Sequence, residues 1–131
     1  MSNEKLKKEI ICYWLEKAHE SLASAKSEYL AGRLTFAMNR AYYSCFYSAS
    51  AVLMFLGKQF KKHTGVKSGV RQYLINKGLL DVSWGRFYNR IFESRQRADY
   101  VGMVKFSHED IEEAISESEK FVNIMENIIS R

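Results

Sequence analysis

The sequence predicts an all-α protein, an up-and-down helical bundle of four to five antiparallel helices, on three observations. There is no proline in its 131 residues, so nothing forces a helix to break. Apolar residues recur three and four positions apart over long stretches, the period of a helix with one buried face. The connections between these stretches are short, so successive helices run antiparallel. No alternating strand pattern, internal repeat or low-complexity tract competes. With 47% hydrophobic and 27% charged residues, the chain reads as one folded domain, 1–131, rather than a disordered segment.

The first helix is predicted from about Asn3 to Leu30, with Ile11, Trp14, Ala18, Leu22, Ala25 and Tyr29 on one stripe. Gly32 supplies a left-handed cap. The second runs from about Leu34 to Leu56 and is apolar on nearly every face, which places it at the centre of a bundle or at a subunit interface. Its stripe is Leu34, Met38, Ala41, Cys45, Ala49 and Val52, with Tyr43, Phe46 and Tyr47 covering much of the rest. A basic, glycine-bearing stretch, Lys58 to Arg71, follows. It reads as a loop and then a short helix from about Val66 to Asn76. The fourth helix starts at Asp81 or Ser83, either a competent cap, and continues to about Ala98. Its buried face carries Trp84, Phe87, Tyr88, Ile91 and Phe92. The fifth begins at Ser107, with Asp110 in a capping-box position and Ile111, Ala114, Ile115, Phe121, Val122 and Met125 facing inward.

The longest uncharged stretch, Ala41 to Gly57, is 17 residues and holds three tyrosines, three serines and a cysteine. That is too short and too polar to cross a bilayer. The N-terminus lacks an apolar signal core, so a cytoplasmic protein is expected. Cys12 and Cys45 have neither metal-ligand nor redox spacing and read as reduced, buried thiols. His19, His63 and His108 have no helical ligand spacing, so no metal is expected. Dinucleotide-binding, P-loop, zinc-protease and nucleophile-elbow signatures are absent, and no cofactor is implied.

Charge is distributed unevenly. Ten Lys/Arg stand against two Asp/Glu between residues 57 and 97, whereas two stand against seven from residue 108 onward. A basic block of this kind is the footprint of a phosphate or nucleic-acid binder. The alternative is that the acidic last helix packs beside it and neutralises it. Within the block, His63 lies between Lys61, Lys62 and Thr64-Gly65; neighbouring cations lower an imidazole's pKa, leaving it neutral and able to take a proton. It is equally a solvated loop residue. Arg90 and the run Arg95-Gln96-Arg97 with Asp99 and Tyr100 offer guanidinium groups to a phosphate, or supply ordinary helix-end chemistry with Asp99 paired to an arginine. Asn39, Tyr43 and Tyr47 fall four apart on one face, where their polar tips line a cleft or satisfy one another.

Taken together, Asn39-Arg40-Ala41-Tyr42-Tyr43 with Phe46, the Lys61-Lys62-His63-Thr64-Gly65-Val66 segment, Gly78-Leu79-Leu80 and Arg95-Gln96-Arg97-Ala98-Asp99-Tyr100 resemble the HEPN domain family (higher eukaryotes and prokaryotes nucleotide-binding), in its small stand-alone prokaryotic branch. The resemblance covers nearly the whole chain. It implies a helical bundle that forms a homodimer, and a toxin of a toxin–antitoxin pair whose antitoxin is a nucleotidyltransferase. Active members are metal-independent RNA endonucleases with an Arg, a polar residue and a His four to six positions after the Arg. The Arg maps to Arg95 and the polar residue to Gln96, but the His position falls on Tyr100. The tyrosine that some antitoxins modify with AMP falls on Gly102. On this resemblance the catalytic candidates are Arg95, Tyr100 and His63. The candidates for binding RNA or a nucleotide are Lys61, Lys62, Arg90, Arg97, Gln96, Asp99, Asn39 and Tyr43. Metal-free RNA cleavage needs a base, a cation for the phosphorane and an acid; Arg95 supplies only the cation, and His63 serves as base only if the fold carries it to the fourth helix. Three readings follow: an endoribonuclease toxin, a non-catalytic nucleotide- or RNA-binding module, and a helical partner subunit of a nucleotidyltransferase.

Overall fold

The computed structural model describes the backbone of residues 2–100 and 105–130 and the side chains of residues 3–99 and 105–130. The helices are α1 (Ser2–Leu30), α2 (Leu34–Phe55), α3 (His63–Gly69), which runs on into a π-helical turn (Val70–Ile75), α4 (Val82–Tyr100) and α5 (His108–Ser130). No strand occurs among the described residues. No helix there is long and apolar enough to cross a membrane.

α2 is the axis of the bundle, touching α1, α3, α4 and α5. Its small residues make this possible: Ala37, Ala41, Ala49 and Ala51 are fully buried and let neighbouring backbones approach. Ser44 and Ser48 are also fully buried. Each satisfies its hydroxyl on a carbonyl one turn back, Ser44 on Ala41 at 2.6 Å and Ser48 on Cys45 at 3.2 Å, so neither carries the cost of an unpaired polar group. Gly32 and Gly57, at φ 79° and 80°, end α1 and α2 in the left-handed conformation that side chains resist. The following amides reach back to Glu28 and Leu53, closing a Schellman motif at each end.

Contacts along the helices fix their directions. Trp14, early in α1, stacks on Tyr47, late in α2, at 5.4 Å. Asn39, early in α2, meets Asp99 at the end of α4. Tyr29 of α1 bonds Glu112 of α5, while His19 bonds Glu126. α1–α2, α2–α4 and α1–α5 are therefore antiparallel pairs, as the short connections predict. At α4, Asp81 is the cap, its carboxylate accepting the Ser83 amide at 3.0 Å. At α5 the predicted capping box forms: the Asp110 amide donates to Ser107 Oγ at 3.0 Å and the Ser107 amide to Asp110 at 2.9 Å.

Two expectations are corrected. Cys12 is exposed, and only Cys45 is a buried thiol; α1 covers one face of the bundle, and Cys12 falls beside its buried stripe rather than on it. Burial pushes the Cys45 thiol up to about 12. The third helix also starts three residues earlier than its periodicity suggests. Phe60 lies across Gly65 and Gly69, its ring atoms only 3.1 and 2.9 Å from where their Cβ atoms would be. The two glycines, four apart, make a seat for that ring. Winding the chain from His63 closes it.

The aromatic core joins α4 to α5 through Phe121, which is fully buried against Trp84, Phe87 and Tyr88. Phe121→Ala is expected to cost about 3–5 kcal/mol in denaturant unfolding. Phe36→Ala, at a side chain 61% exposed, is expected to stay within about 0.5 kcal/mol of the parent; similar losses in both would contradict this packing.

Candidate functional site

The site is built on the first half of α2. Tyr42 and Tyr43 are neighbours in sequence, so they leave the helix in different directions. Tyr42 points inward, fully buried among Tyr88, Phe92 and Phe46. Tyr43 is half-buried and reaches a groove. Both rings receive α4's arginine: the Arg95 guanidinium lies 5.4 Å from the Tyr42 centroid and 5.6 Å from that of Tyr43, cation–π distances. Its Nη2 also donates to the Tyr43 hydroxyl at 3.3 Å. One turn on, Asp99 holds the Arg95 Nε in an ion pair of 2.9 Å and accepts from Asn39 Nδ2 at 3.3 Å. The Arg95 side chain is 13% exposed, with its Nε buried, and that of Asp99 29%, so the arginine lies within the packing and the carboxylate at its edge.

His63 reaches the same cluster from α3. Its Nδ1 is 2.7 Å from the Tyr42 hydroxyl, and its ring stacks on Phe46 at 4.2 Å and 17°. Partial burial, and secondarily the charge of Arg95, lower the His63 pKa below its ordinary 6.5. The imidazole is therefore neutral at physiological pH. Burial pushes the Tyr42 phenol well above the usual tyrosine range, so it keeps its proton. A neutral phenol both donates and accepts, and it holds either neutral tautomer of His63 through Nδ1.

His63 opens onto a groove of about 470 Å³ between α1, α2 and the segment before α3. Trp14, Tyr43, Tyr47 and Phe60 supply its aromatic walls, and Lys58 and Lys61 its cations. Arg95 is not in this wall; it packs against Tyr43, which is. A groove that combines stacking faces with lysines suits unpaired nucleobases and their phosphates.

The fold thus brings together Arg95, Asp99, Asn39, Tyr43, His63 and Lys61 from three separate stretches of sequence. Others stand apart. Arg90 pairs with Glu117 of α5 at 3.5 Å on another face of α4. Gln96, Arg97 and Lys62 are exposed and make no side-chain bond to the cluster among the described contacts. The Tyr100 side chain and Gly102 lie outside the described residues. His63 heads a helix rather than sitting in a solvated loop. Of the two readings of the Arg95 run, the pairing of Asp99 with an arginine is present, and the same arginine adjoins the groove's wall.

Sequence reasoning missed Tyr42, the residue that joins His63 to Arg95, and the groove walls Trp14, Lys58 and Phe60. The signal for Tyr42 was its place in the Tyr42, Tyr43, Phe46, Tyr47 pattern, which presents two adjacent aromatic faces on one helix.

Residues 11–128 match the HEPN domain. A UPF0332 protein of Thermotoga maritima is 38% identical over 123 residues, 94% of this chain and 93% of that protein. Two Methanocaldococcus jannaschii proteins, each described as a "putative toxin", are 35% and 32% identical over 109 residues, which is 83% of this chain and 81% and 74% of theirs. An α2-centred bundle, matched by the family pattern along almost its full length, leaves one assignment: the chain belongs to the HEPN domain family.

Proposed function

We propose that this chain is a toxin-type HEPN protein that acts on RNA as an endoribonuclease, with Arg95 and His63 at its reacting centre. The observation that carries this is the convergence of a neutral histidine and a guanidinium on Tyr42 and Tyr43, beside a groove of aromatic rings and lysines. The likeness to proteins described as toxins supports the biological half of the reading.

The chemistry follows from what RNA carries. The 2′-oxygen attacks the adjacent phosphorus, the bond from phosphorus to the 5′-oxygen breaks, and a 2′,3′-cyclic phosphate and a 5′-hydroxyl result. In the tautomer with its proton on Nδ1, His63 accepts the 2′-hydroxyl proton at Nε2 while Tyr42 accepts from Nδ1. Arg95 stabilises the charge gathering on the phosphorane. A protonated group must hand a proton to the leaving oxygen, and Tyr100 at the end of α4 is the candidate the motif supplies. Lys61 and Lys58 hold flanking phosphates, and Trp14, Tyr47 and Phe60 stack bases. A homodimer, a nucleotidyltransferase antitoxin and a cytoplasmic setting belong to the same proposal.

Binding without turnover is the second reading, favoured by Asp99, whose carboxylate already occupies Arg95 at 2.9 Å. An RNA incubation in the presence of EDTA separates the two. Under the first reading the chain cleaves single-stranded RNA, and Arg95→Ala lowers the rate by about 10²–10³. RNA retained intact by a chain that binds it selects the second.

The pH profile tests His63. A base whose pKa lies below 6.5 is neutral above that value and protonated well below it. Cleavage is therefore expected to hold level above about pH 7.5 and to fall on acidification. His63→Gln is expected to lose about 10²–10⁴ in rate and this acid limb with it. A rate still climbing above pH 7.5, or an unchanged acid limb in His63→Gln, assigns the base elsewhere.

A further inference from the structure

The geometry points to a second phosphate-binding site, a narrow basic groove between the third helical element and α4 that guides a single RNA strand toward His63. The inference rests on the RNA reading above and names residues outside it. The groove, about 190 Å³, has Lys67, Ser68 and Arg71 on one wall and Arg86 and Asn89 on the other. No carboxylate lines it. Asp81, which feels the charge of Arg86, is engaged by the Ser83 amide at 3.0 Å and by the Ser83 hydroxyl. Gly85 keeps the walls close: a Cβ there would come within 3.2 Å of Ile75.

Three arguments give the groove this role. First, His63 and Lys67 are four apart in α3, one turn on the same face and about 6 Å along the axis, and Arg71 follows in the π-helical turn on the same wall of the groove as Lys67. The third helical element thus leads from His63 at its head to Lys67 and Arg71 in the groove. Second, Lys67 is anchored on the site itself. Its Nζ lies 4.8 Å from the Phe92 ring, which packs on Tyr42 at 6.0 Å. Third, Lys67, Arg71 and Arg86 stand outside any ion pair among the described residues, Arg86 having only the more distant Asp81, although Lys26, Arg33, Arg90 and Arg95 form such pairs. Like charges held four apart on a helix repel, and a line of phosphates relieves that repulsion. An acidic protein is the poorer fit, since the lining offers no aromatic anchor of the kind that holds protein interfaces.

The test uses the full chain and a fluorescein-labelled single-stranded RNA oligonucleotide of mixed sequence. Anisotropy titrations run from 50 to 300 mM KCl, on Arg95→Ala protein so that the probe stays intact. In that background, Lys67→Gln/Arg71→Gln/Arg86→Gln is compared with Lys5→Gln/Lys8→Gln/Lys120→Gln, which removes the same charge from α1 and α5. Circular dichroism melts check that both fold. The groove variant is expected to bind at least tenfold more weakly at 100 mM KCl. Its log Kd against log salt slope should be shallower by about two, three phosphate contacts at ~0.7 each. The control is expected to change less than twofold. Equal losses in both variants, or no loss in the groove variant while the parent binds RNA, overturn the groove and leave the RNA reading standing. No RNA binding or cleavage by the unsubstituted chain, with none by its Arg95→Ala form, overturns both. Binding of poly-glutamate in place of RNA overturns the groove proposal in favour of an acidic partner.

Discussion

Burial of Tyr42 is the constraint on which the site depends. A helix apolar on all sides must be surrounded, and α2 is surrounded by α1, α3, α4 and α5. That arrangement forces a large phenol into the centre, with its hydroxyl needing a partner. The partner is the His63 ring at 2.7 Å. That hydrogen bond, with the Phe46 stack, ties the head of α3 to α2, leaves the imidazole half-buried and holds it near Arg95. The lowered pKa of His63 follows mainly from that burial. The position and the protonation of His63 are two consequences of one packing arrangement.

The placement of α5 settles the electrostatics. Among the described residues its carboxylates meet α1 at His19, Lys26 and Tyr29, and the basic block only at Arg90. Of the two readings of the charge asymmetry, mutual neutralisation accounts for one arginine. The acidic first turn of α5 serves its own helix end, with Asp110 in the capping box. Of the block's other cations, Lys58 and Lys61 line the groove beside His63, Arg95 pairs with Asp99, and Lys67, Arg71 and Arg86 face the groove between the third helical element and α4.

Much of this was legible in the sequence because helices declare themselves locally. The stripes of α1, α2, α4 and α5, the glycine caps and the Ser107–Asp110 box all depend on residues a few positions apart. Arg95 and its pairing with Asp99 were legible for the same reason, being one turn of α4 apart. The meeting of His63 with Tyr42 was not. Their 21-residue separation crosses a connection whose path is set by Phe60 seating on Gly65 and Gly69, a contact that no periodicity encodes. The groove walls were hidden likewise, because Trp14 reads as core from its stripe and is in fact half-buried beside Tyr47. Cys12 misled for the converse reason: an apolar residue type is weak information about burial when it falls off the stripe.

The departure at position 100 looks different in three dimensions. A motif that spaces an arginine and a histidine along one helix is one way of bringing two side chains together, and chemistry responds only to where the atoms are. In this chain a histidine from α3 and an arginine from α4 meet across two tyrosines of α2 instead. The exchange has a cost and a benefit. On the proposed chemistry, a base supplied by a separate helix depends on the α2–α3 packing staying intact, so its position is only as firm as the Phe60 seat and the Tyr42 bond. In return the proposed base heads the helix that carries Lys67 into the groove proposed to hold the strand. On that argument the histidine's displacement from the motif and the basic groove behind it are one feature, and a variant that loosens Phe60 should damage RNA binding and turnover together.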